Sequence, residues 1–436
     1  MNTEYLSKIV SLPKDINNLW ISYLTDDELI YSCGQNNWIN FKKNDVCNIA
    51  AKNGWLDLLL WGKENKRRWV SKEISKNAAK YGQLEVLKWA IKNDCPLNST
   101  VCSYAALNGH LDLLKWAREN NCEWDKYTCS YAALNGHLDI LKWARDKSNG
   151  SQAEWDEETC SNAVIGGHFE ILKWARENNC EWNETTCSNA ARNGHFEILK
   201  WLKINGCEWN ADTCSRAAEG GHLDILKWAR ENGCEWDQFT CSRAALGGHL
   251  KTLKWARNNG CEWGISVCNY AAMNNHLDII KWARQNGCEW NDYVNVAAAQ
   301  YGYFDIMKWA YENDCKLTEE VCTYAAQNGH FEMLKWAREK GCDWSCETTA
   351  QAARNGHLLI LKWLKLNGCP WNKWVCECSA EYGHLDILIW ARNNGCDWDK
   401  STYKYAKRNG QIEILEWLEQ NGCPLPNLIL VDHLTD

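Results

Sequence analysis

A fixed spacing of 27 residues recurs along most of this 436-residue chain. Ten histidines follow it, at successive separations of 27, 31, 27, 27, 27, 27, 54, 27 and 27 residues: His110, His137, His168, His195, His222, His249, His276, His330, His357 and His384. The separation of 54 is two periods, with Tyr303 at the missing position, and Trp55, Gln83 and Gln411 extend the series to fourteen units. Self-similarity at such a period indicates stacked repeats, so the usual relation between chain length and domain number does not apply.

Each unit contains two short helical patterns. In the unit that opens at Thr240, Asp237 or Thr240 can cap the first helix, which ends at Gly247–Gly248. The second helix runs from about residue 249 to residue 259, and Gly260 supplies the left-handed position after it. No segment alternates apolar and polar residues as a strand does. One helix pair is too small to bury its own apolar face, so neighbouring units must supply the core.

Three segments of a unit resemble the ankyrin repeat. These are Ala217–His222, with paired alanines before Gly-His, then Leu223–Lys227, and then Gly233–Asp237. Two features depart from that family. Thr213–Ser215 replaces the threonine-proline-leucine-histidine motif, whose histidine ties neighbouring ankyrin repeats. Each unit is also about six residues shorter than an ankyrin repeat, in the region of the projecting β-hairpin finger.

The resemblance implies an all-α, ankyrin-like solenoid of about fourteen stacked helix pairs, with reduced or absent β-hairpin fingers. The Trp- and Cys-rich form of the repeat is similar to ankyrin-like repeat proteins of giant DNA viruses of amoebae. We predict that the array spans residues 45–423. Residues 1–44 would form an N-terminal helical cap, and residues 424–436 a C-terminal cap or tail.

Tryptophan is unusually frequent, with 29 residues, and its positions follow the repeat. Fourteen lie six residues after the histidine position, from Trp61 to Trp417, and ten lie in the Cys-Glu-Trp segment or its equivalent, from Trp124 to Trp398. A ring at a fixed position of each stacked unit forms a ladder. We predict that these rings pack in the core and do not form a cage for a cofactor or a glycan.

The 25 cysteines follow the same register. Ten lie eight residues before the histidine position and twelve lie twelve residues after it, whereas Cys33, Cys346 and Cys378 lie elsewhere. Neighbouring cysteines are separated by six residues, which is not the spacing of a zinc site. We therefore interpret them as small buried thiols and predict no metal and no cofactor.

No catalytic constellation stands out. A catalytic site brings unlike residues together in one place, whereas this chain repeats the same residues fourteen times. The sequence has no nucleophile elbow, no His-Glu-x-x-His motif and no glycine loop that could hold phosphate. We predict that the protein is not an enzyme.

Binding is expected where the units differ. The variable positions flank the paired alanines on the first helix, which in ankyrins lines the surface that contacts partner proteins. Tyrosine and arginine are common anchors at such surfaces. We predict a protein partner and eight contact residues, with neutral variation of a solvated face as the alternative: Tyr104, Tyr131, Arg192, Arg216, Arg243, Tyr270, Tyr324 and Arg354.

Residues 11–38 precede the repeats and resemble an F-box, the segment that docks on the adaptor of a cullin ubiquitin ligase. In that interpretation the adaptor-binding residues are Leu12, Pro13, Ile16, Ile21, Leu24 and Leu29. Trp20 stands where the family favours isoleucine. The alternative is a helical cap that covers the open apolar end of the stack.

Four extra residues within the loop 146–153 form the one irregular insertion.

Charge and hydropathy limit the partners further. The chain has 56 acidic and 48 basic residues, a formal net charge of −8, which disfavours nucleic acid and anionic membranes although a local basic patch remains compatible. No apolar run approaches the length of a membrane span, and the first residues lack the pattern of a signal peptide. We expect a cytoplasmic protein, in the host cell cytoplasm if it is viral, with reduced thiols.

Overall fold

The computed structural model describes residues 46–64, 70–149 and 152–425. Within these ranges the chain forms 28 α-helices and one 3₁₀ turn, Lys147–Asn149, and no β-strand. The helices are α1 Val46–Asn53, α2 Leu56–Glu64, α3 Ser71–Lys80, α4 Leu84–Lys92, α5 Ser99–Leu107, α6 Leu111–Glu119, α7 Thr128–Leu134, α8 Leu138–Arg145, α9 Glu157–Ile165, α10 Phe169–Glu177, α11 Glu184–Arg192, α12 Phe196–Ile204, α13 Ala211–Glu219, α14 Leu223–Glu231, α15 Gln238–Leu246, α16 Leu250–Asn258, α17 Ser266–Met273, α18 Leu277–Gln285, α19 Tyr293–Tyr301, α20 Phe304–Glu312, α21 Glu319–Gln327, α22 Phe331–Glu339, α23 Cys346–Arg354, α24 Leu358–Leu366, α25 Trp374–Tyr382, α26 Leu385–Asn393, α27 Lys400–Arg408 and α28 Ile412–Gln420.

Each repeat is one odd-numbered helix, the first helix, followed by one even-numbered helix, the second. Asp237 is the N-cap of α15, where its carboxylate accepts a hydrogen bond of 2.9 Å from the backbone N–H of Phe239. Gly248 ends this helix at φ +79°, and Gly260 follows α16 at φ +85°. His249 is the N-cap residue of α16, so that helix begins one residue later than the sequence suggests.

A histidine ties each repeat to the one before it. The ring of His222 packs so closely on Gly194 that a Cβ on that glycine would lie 2.5 Å from the ring, and His222 Nε2 lies 3.1 Å from the carbonyl oxygen of Arg192. The histidine of the ankyrin motif is absent, but a histidine at another position makes a tie of the same kind. Equivalent bonds come from His110, His168, His357 and His384, and from the side-chain amides of Gln83 and Gln411.

Small and aliphatic side chains fill the space between the helices. In the repeat of α13 and α14 the paired alanines Ala217 and Ala218 face Ile225, Leu226 and Ala229, and all five are fully buried. Alanine at the first-helix positions lets neighbouring first helices approach closely, while each buried leucine or isoleucine contributes about 1.5–3 kcal/mol. This packing makes each first helix a rigid support for the side chains on its outer face.

The described chain divides into two compact parts, unit 1 and unit 2, each of which contains several of the 27-residue repeats. Unit 1 comprises the residues up to Ala190 together with Glu197–Glu208, and unit 2 comprises Ala191–Phe196 and the residues from Trp209 onward. In unit 1 the first helices pack side by side in chain order: α1, α3, α5, α7 and α9. In unit 2 the odd-numbered first helices from α13 to α27 pack in the same way. Each unit is therefore an all-α stack of helix pairs, and the predicted fold class is confirmed.

Several predictions concern residues outside the described ranges. The proposed adaptor-binding residues lie there: Leu12, Pro13, Ile16, Ile21, Leu24 and Leu29. So do most of residues 424–436, and the division into cap, array and tail stays a prediction.

In the described part of the insertion, Arg145 Nη1 donates a 2.6 Å bond to the carbonyl oxygen of Ala153. No helix among the described residues is long and apolar enough to cross a membrane.

Candidate interaction surface

The first helices place two of the predicted contact tyrosines side by side in unit 1. Tyr104 on α5 and Tyr131 on α7 occupy the same position in successive repeats, and both are half-buried. The ring of Tyr131 also stacks on Tyr127, with centroids 5.4 Å apart and planes 14° apart. Burial raises the pKa of the Tyr131 hydroxyl, with the neighbouring Tyr104 and Tyr127 adding to the effect. The Tyr131 hydroxyl therefore stays protonated at neutral pH.

Three predicted contact arginines converge on one carboxylate in unit 2. Glu219, with a side chain only 11% exposed, accepts from Arg192 at 2.8 Å, from Arg216 at 3.1 Å and from Arg243 at 3.3 Å. Arg216 also lies 3.4 Å from Asp212. The sequence indicated the arginines, but not that one glutamate holds all of them. Because part of each guanidinium stays exposed, the cluster presents fixed donors to solvent.

A cleft of about 200 Å³ lies beside this arginine cluster. It is lined by Asp212, Ser215, Asp237, Phe239 and Arg243. Phe239, on the first turn of α15, is 51% exposed. The cleft therefore joins an exposed apolar ring to polar groups of both signs, which is the mixture found at protein interfaces.

Tyrosines also cluster around α19. Tyr293 and Tyr301, on that helix, are 37% and 43% exposed. Burial raises the pKa of the Tyr293 hydroxyl, and the tyrosines around it, which include the predicted Tyr270 and Tyr324, raise it further. Sequence reasoning missed Tyr293 and Tyr301, although their place in the register of the first helix could have revealed them.

Arg354, the last predicted contact residue, is paired with a tyrosine of the next repeat. Its guanidinium lies 4.7 Å from the ring centroid of Tyr382 and hydrogen bonds to the hydroxyl of that residue. Tyr382 is 41% exposed and is the last residue of the first helix α25. The structure thus adds Tyr382 to the candidate surface.

Most of the described thiols lie in the core, and only Cys346 and Cys378 among them are half-buried. The 24 described cysteines form no disulfide with one another. Eight pairs of them are separated by 20 residues, as in Cys102 and Cys122, whose sulfur atoms are 3.3 Å apart. Cys122 also lies 3.1 Å from the carbonyl oxygen of Asn98. The hydrogen bond that the Cys102 thiol donates to Cys122, together with burial, raises the pKa of the Cys102 thiol. Among the described residues no group of three or more potential ligands could hold a metal ion.

The tryptophan ladder exists, but the prediction that it lies in the core is wrong. The ladder rings are half-buried throughout the described chain, because alanine, leucine, isoleucine and cysteine already fill the core. In unit 2 Arg230 stacks 4.3 Å over Trp236, whose ring meets Trp255 edge-on at 5.8 Å. In most rungs a guanidinium covers one ring face and a second ring meets the edge, so side chains of the same chain already occupy these surfaces of the ladder.

The chain is similar to known repeat proteins. The family model of ankyrin repeats in many copies matches residues 160–202. Among solved structures, the crystal structure of a pentatricopeptide repeat protein from maize is 13% identical, with 97% of this chain and 78% of that chain covered and a TM-score of 0.34. No curated protein matches the sequence. The chain therefore carries ankyrin-like helical repeats, which are typical of protein-interaction scaffolds.

Proposed function

We propose that this protein is a non-enzymatic scaffold that binds a partner protein through the outer side chains of its first helices. One observation carries the proposal: residues that pack are nearly constant between repeats, whereas the solvent-facing positions vary and hold tyrosine and arginine. Both residue types bury much area at a low cost in side-chain entropy once they are held in place.

The pairing within the arginine cluster supports this role. Glu219 orients Arg192, Arg216 and Arg243 before any partner arrives. Side chains that are already ordered lose little conformational entropy on binding, so they contribute more of their contact energy to affinity. Tyr382 receives similar support from Arg354.

A capture experiment tests the scaffold. Immobilised wild-type protein is compared with an Arg216→Ala/Arg243→Ala variant and with a matched Arg257→Ala/Arg284→Ala variant, whose arginines stack on Trp263 and Trp290 of the ladder. We expect the first variant to capture about tenfold less of a partner protein than the wild type does, and the matched variant to capture as much as the wild type. Equal capture by all three proteins would contradict a role for the arginine cluster.

A second candidate function is that of a substrate receptor for a cullin ubiquitin ligase. Its support is the F-box-like pattern within residues 11–38, and these residues lie outside the described ranges. The repeats would select the target, and the ligase would supply the chemistry. We expect the adaptor to co-purify with the wild type. It should be lost from a Leu12→Ala/Pro13→Ala variant whose helical content is unchanged. Absence of the adaptor from the wild-type preparation would reject this function.

We propose the cytoplasm of a eukaryotic host cell as the site of action. The support is the large number of buried thiols that form no disulfide, which suits a compartment that keeps thiols reduced, together with the resemblance to repeat proteins of giant viruses. Imaging of a fluorescent fusion, with a secreted fusion as the control, tests this location.

A further inference from the structure

A row of lysines and tyrosines begins at the first described repeats, within unit 1. The Lys52 ammonium, at the end of α1, lies 5.2 Å from the ring centroid of Tyr81 in the next repeat. Lys80, at the end of α3, lies 5.5 Å from the same ring. Tyr81 is 38% exposed, so the two lysines and the ring share one solvent-facing surface.

The same arrangement continues over the next repeats. Lys76 on α3 lies 5.4 Å from the ring centroid of Tyr104, and Lys126 lies 4.6 Å from that of Tyr127, which stacks on Tyr131. A lysine over a ring face is attracted by the ring quadrupole and keeps its ammonium in a defined position. We call these eight residues the Lys-Tyr face: Lys52, Lys76, Lys80, Tyr81, Tyr104, Lys126, Tyr127 and Tyr131.

The Lys-Tyr face is basic in a chain of net charge −8. The helices α1 and α3 together carry four lysines and one carboxylate, Glu73, which is 3.3 Å from Lys76. Farther along, Asp125 accepts from the backbone N–H of Tyr127 at 2.8 Å, and Glu158 on α9 also acts on the Lys126 ammonium. The excess of lysine over carboxylate on α1 and α3 leaves a local positive potential there.

Apolar side chains continue the face toward the later repeats of unit 1. Lys80 is the last residue of its first helix, and the last residues of α5, α7 and α9 are Leu107, Leu134 and Ile165. The two leucines are half-buried and Ile165 is 38% exposed. A ligand that follows this row therefore meets positive charge first and apolar surface next.

We propose that the Lys-Tyr face binds an acidic segment of a protein partner, with carboxylates against the lysines and apolar side chains against Leu107, Leu134 and Ile165. The inference rests on the proposed scaffold function and names the chemistry of the partner for one part of it. Charge complementarity argues for this occupant. A nucleic acid fits less well, because the chain as a whole is negative and the row ends in apolar side chains.

A peptide-binding measurement tests the proposal on the full-length protein. Fluorescence anisotropy follows a labelled peptide of consecutive glutamates and then leucines, a peptide with lysines in place of the glutamates, and an oligothymidylate of equal charge. The variants are Lys76→Glu/Lys80→Glu and a matched Lys115→Glu/Lys142→Glu, which makes the same change of charge on the second helices α6 and α8. Circular dichroism establishes that both variants fold.

We expect the glutamate peptide alone to bind, with an affinity that falls as the salt concentration rises from about 50 to about 500 mM. Charge reversal on the Lys-Tyr face should weaken binding by at least about tenfold, and reversal on the second helices by less than about twofold. No binding, an equal loss in both variants, or tighter binding of the oligothymidylate would overturn the proposal. If the glutamate peptide does not bind, but capture of a partner protein still depends on Arg216 and Arg243, only this inference is rejected and the proposed scaffold function is retained.

Discussion

At the scale of single residues, one imidazole per repeat joins neighbouring helix pairs. In unit 2 His222 packs its ring on Gly194 and bonds to the carbonyl oxygen of Arg192, a backbone group at the end of α11. The last carbonyls of a helix have no partner within the helix, so this bond satisfies one of them. Gln83 and Gln411 make the same bond with an amide nitrogen, so this tie does not require an imidazole.

This leads to a prediction for His222. Replacement by alanine removes both the ring contact and the bond and should lower the free energy of unfolding by about 1–3 kcal/mol. His222→Gln keeps a donor and should lose less than half as much. Urea unfolding followed by circular dichroism measures both values, and equal losses would show that ring packing alone accounts for the tie.

The neighbouring His249 predicts a pH dependence. Burial lowers the pKa of its imidazole below the ordinary value of 6.5. The unfolded chain then binds a proton at a pH where the folded chain does not, so stability decreases as the pH falls below 6.5 and is unaffected above it.

Stability curves at pH values from about 7 to about 5 measure this effect. A His249→Gln variant should lose less stability than the wild type over that range, because it has no ring to protonate. Parallel curves for the two proteins would show that His249 does not contribute.

At the scale of helices, glycines with left-handed backbone angles separate the elements, and they are of two kinds. Gly221, between α13 and α14, has φ +76°, and a Cβ there would lie 2.4 Å from Nδ1 of His249. Gly233, after α14, has φ +81°, and a Cβ there would meet nothing within 4 Å. Both positions have left-handed backbone angles, which disfavour a residue with a Cβ, but only at the first does packing also exclude the Cβ.

Alanine substitution separates these two requirements. Gly233→Ala should cost about 1–2 kcal/mol, the strain of a left-handed alanine. Gly221→Ala should cost about 1–3 kcal/mol more, because the His249 ring must move as well. Thermal unfolding of the two variants gives the difference, and a smaller loss for Gly221→Ala would contradict the close packing of ring on glycine.

At the scale of the whole molecule, stability is local, because within each unit the described first helices pack chiefly on their neighbours in sequence. Proteins built in this way tolerate the loss or gain of whole repeats, since each interface is equivalent to the next. The regular repeats of unit 2, which share one period of 27 residues from His222 to His276, suit a test of this property.

We predict that deletion of residues 240–266, one full period, leaves the helical content per residue unchanged. The deletion joins the first turn of α15 to the equivalent position of α17 in register, and His276 then takes the place of His249. Deletion of residues 240–253 should lower helical content and solubility, because it removes a first helix and leaves part of a second. Circular dichroism measures the helical content per residue of both deletion variants. Equal helical content in the two variants would contradict packing of each repeat on its neighbours alone.

The tyrosines and arginines of the candidate surface were predictable only in part. Their exposure follows from their register on a short helix, so Tyr104 and Arg216 could be placed on the outer face from the spacing alone. Their partners could not be placed in the same way. Arg192 and Arg243 come from different repeats, and only the offset between stacked helices brings both to Glu219.

The sequence by itself determined the helix pairs, their period, the glycines between them and the all-α fold, because helix periodicity, capping and left-handed glycines are local properties of the chain. Only the tertiary structure decided which histidine ties the repeats, that thiols meet 20 residues apart, and that the ladder tryptophans are half-buried outside the core. Each of these depends on how far one repeat is displaced and rotated against the next. That displacement is fixed by the packing of alanine, leucine and isoleucine side chains between helices, and no local pattern encodes it.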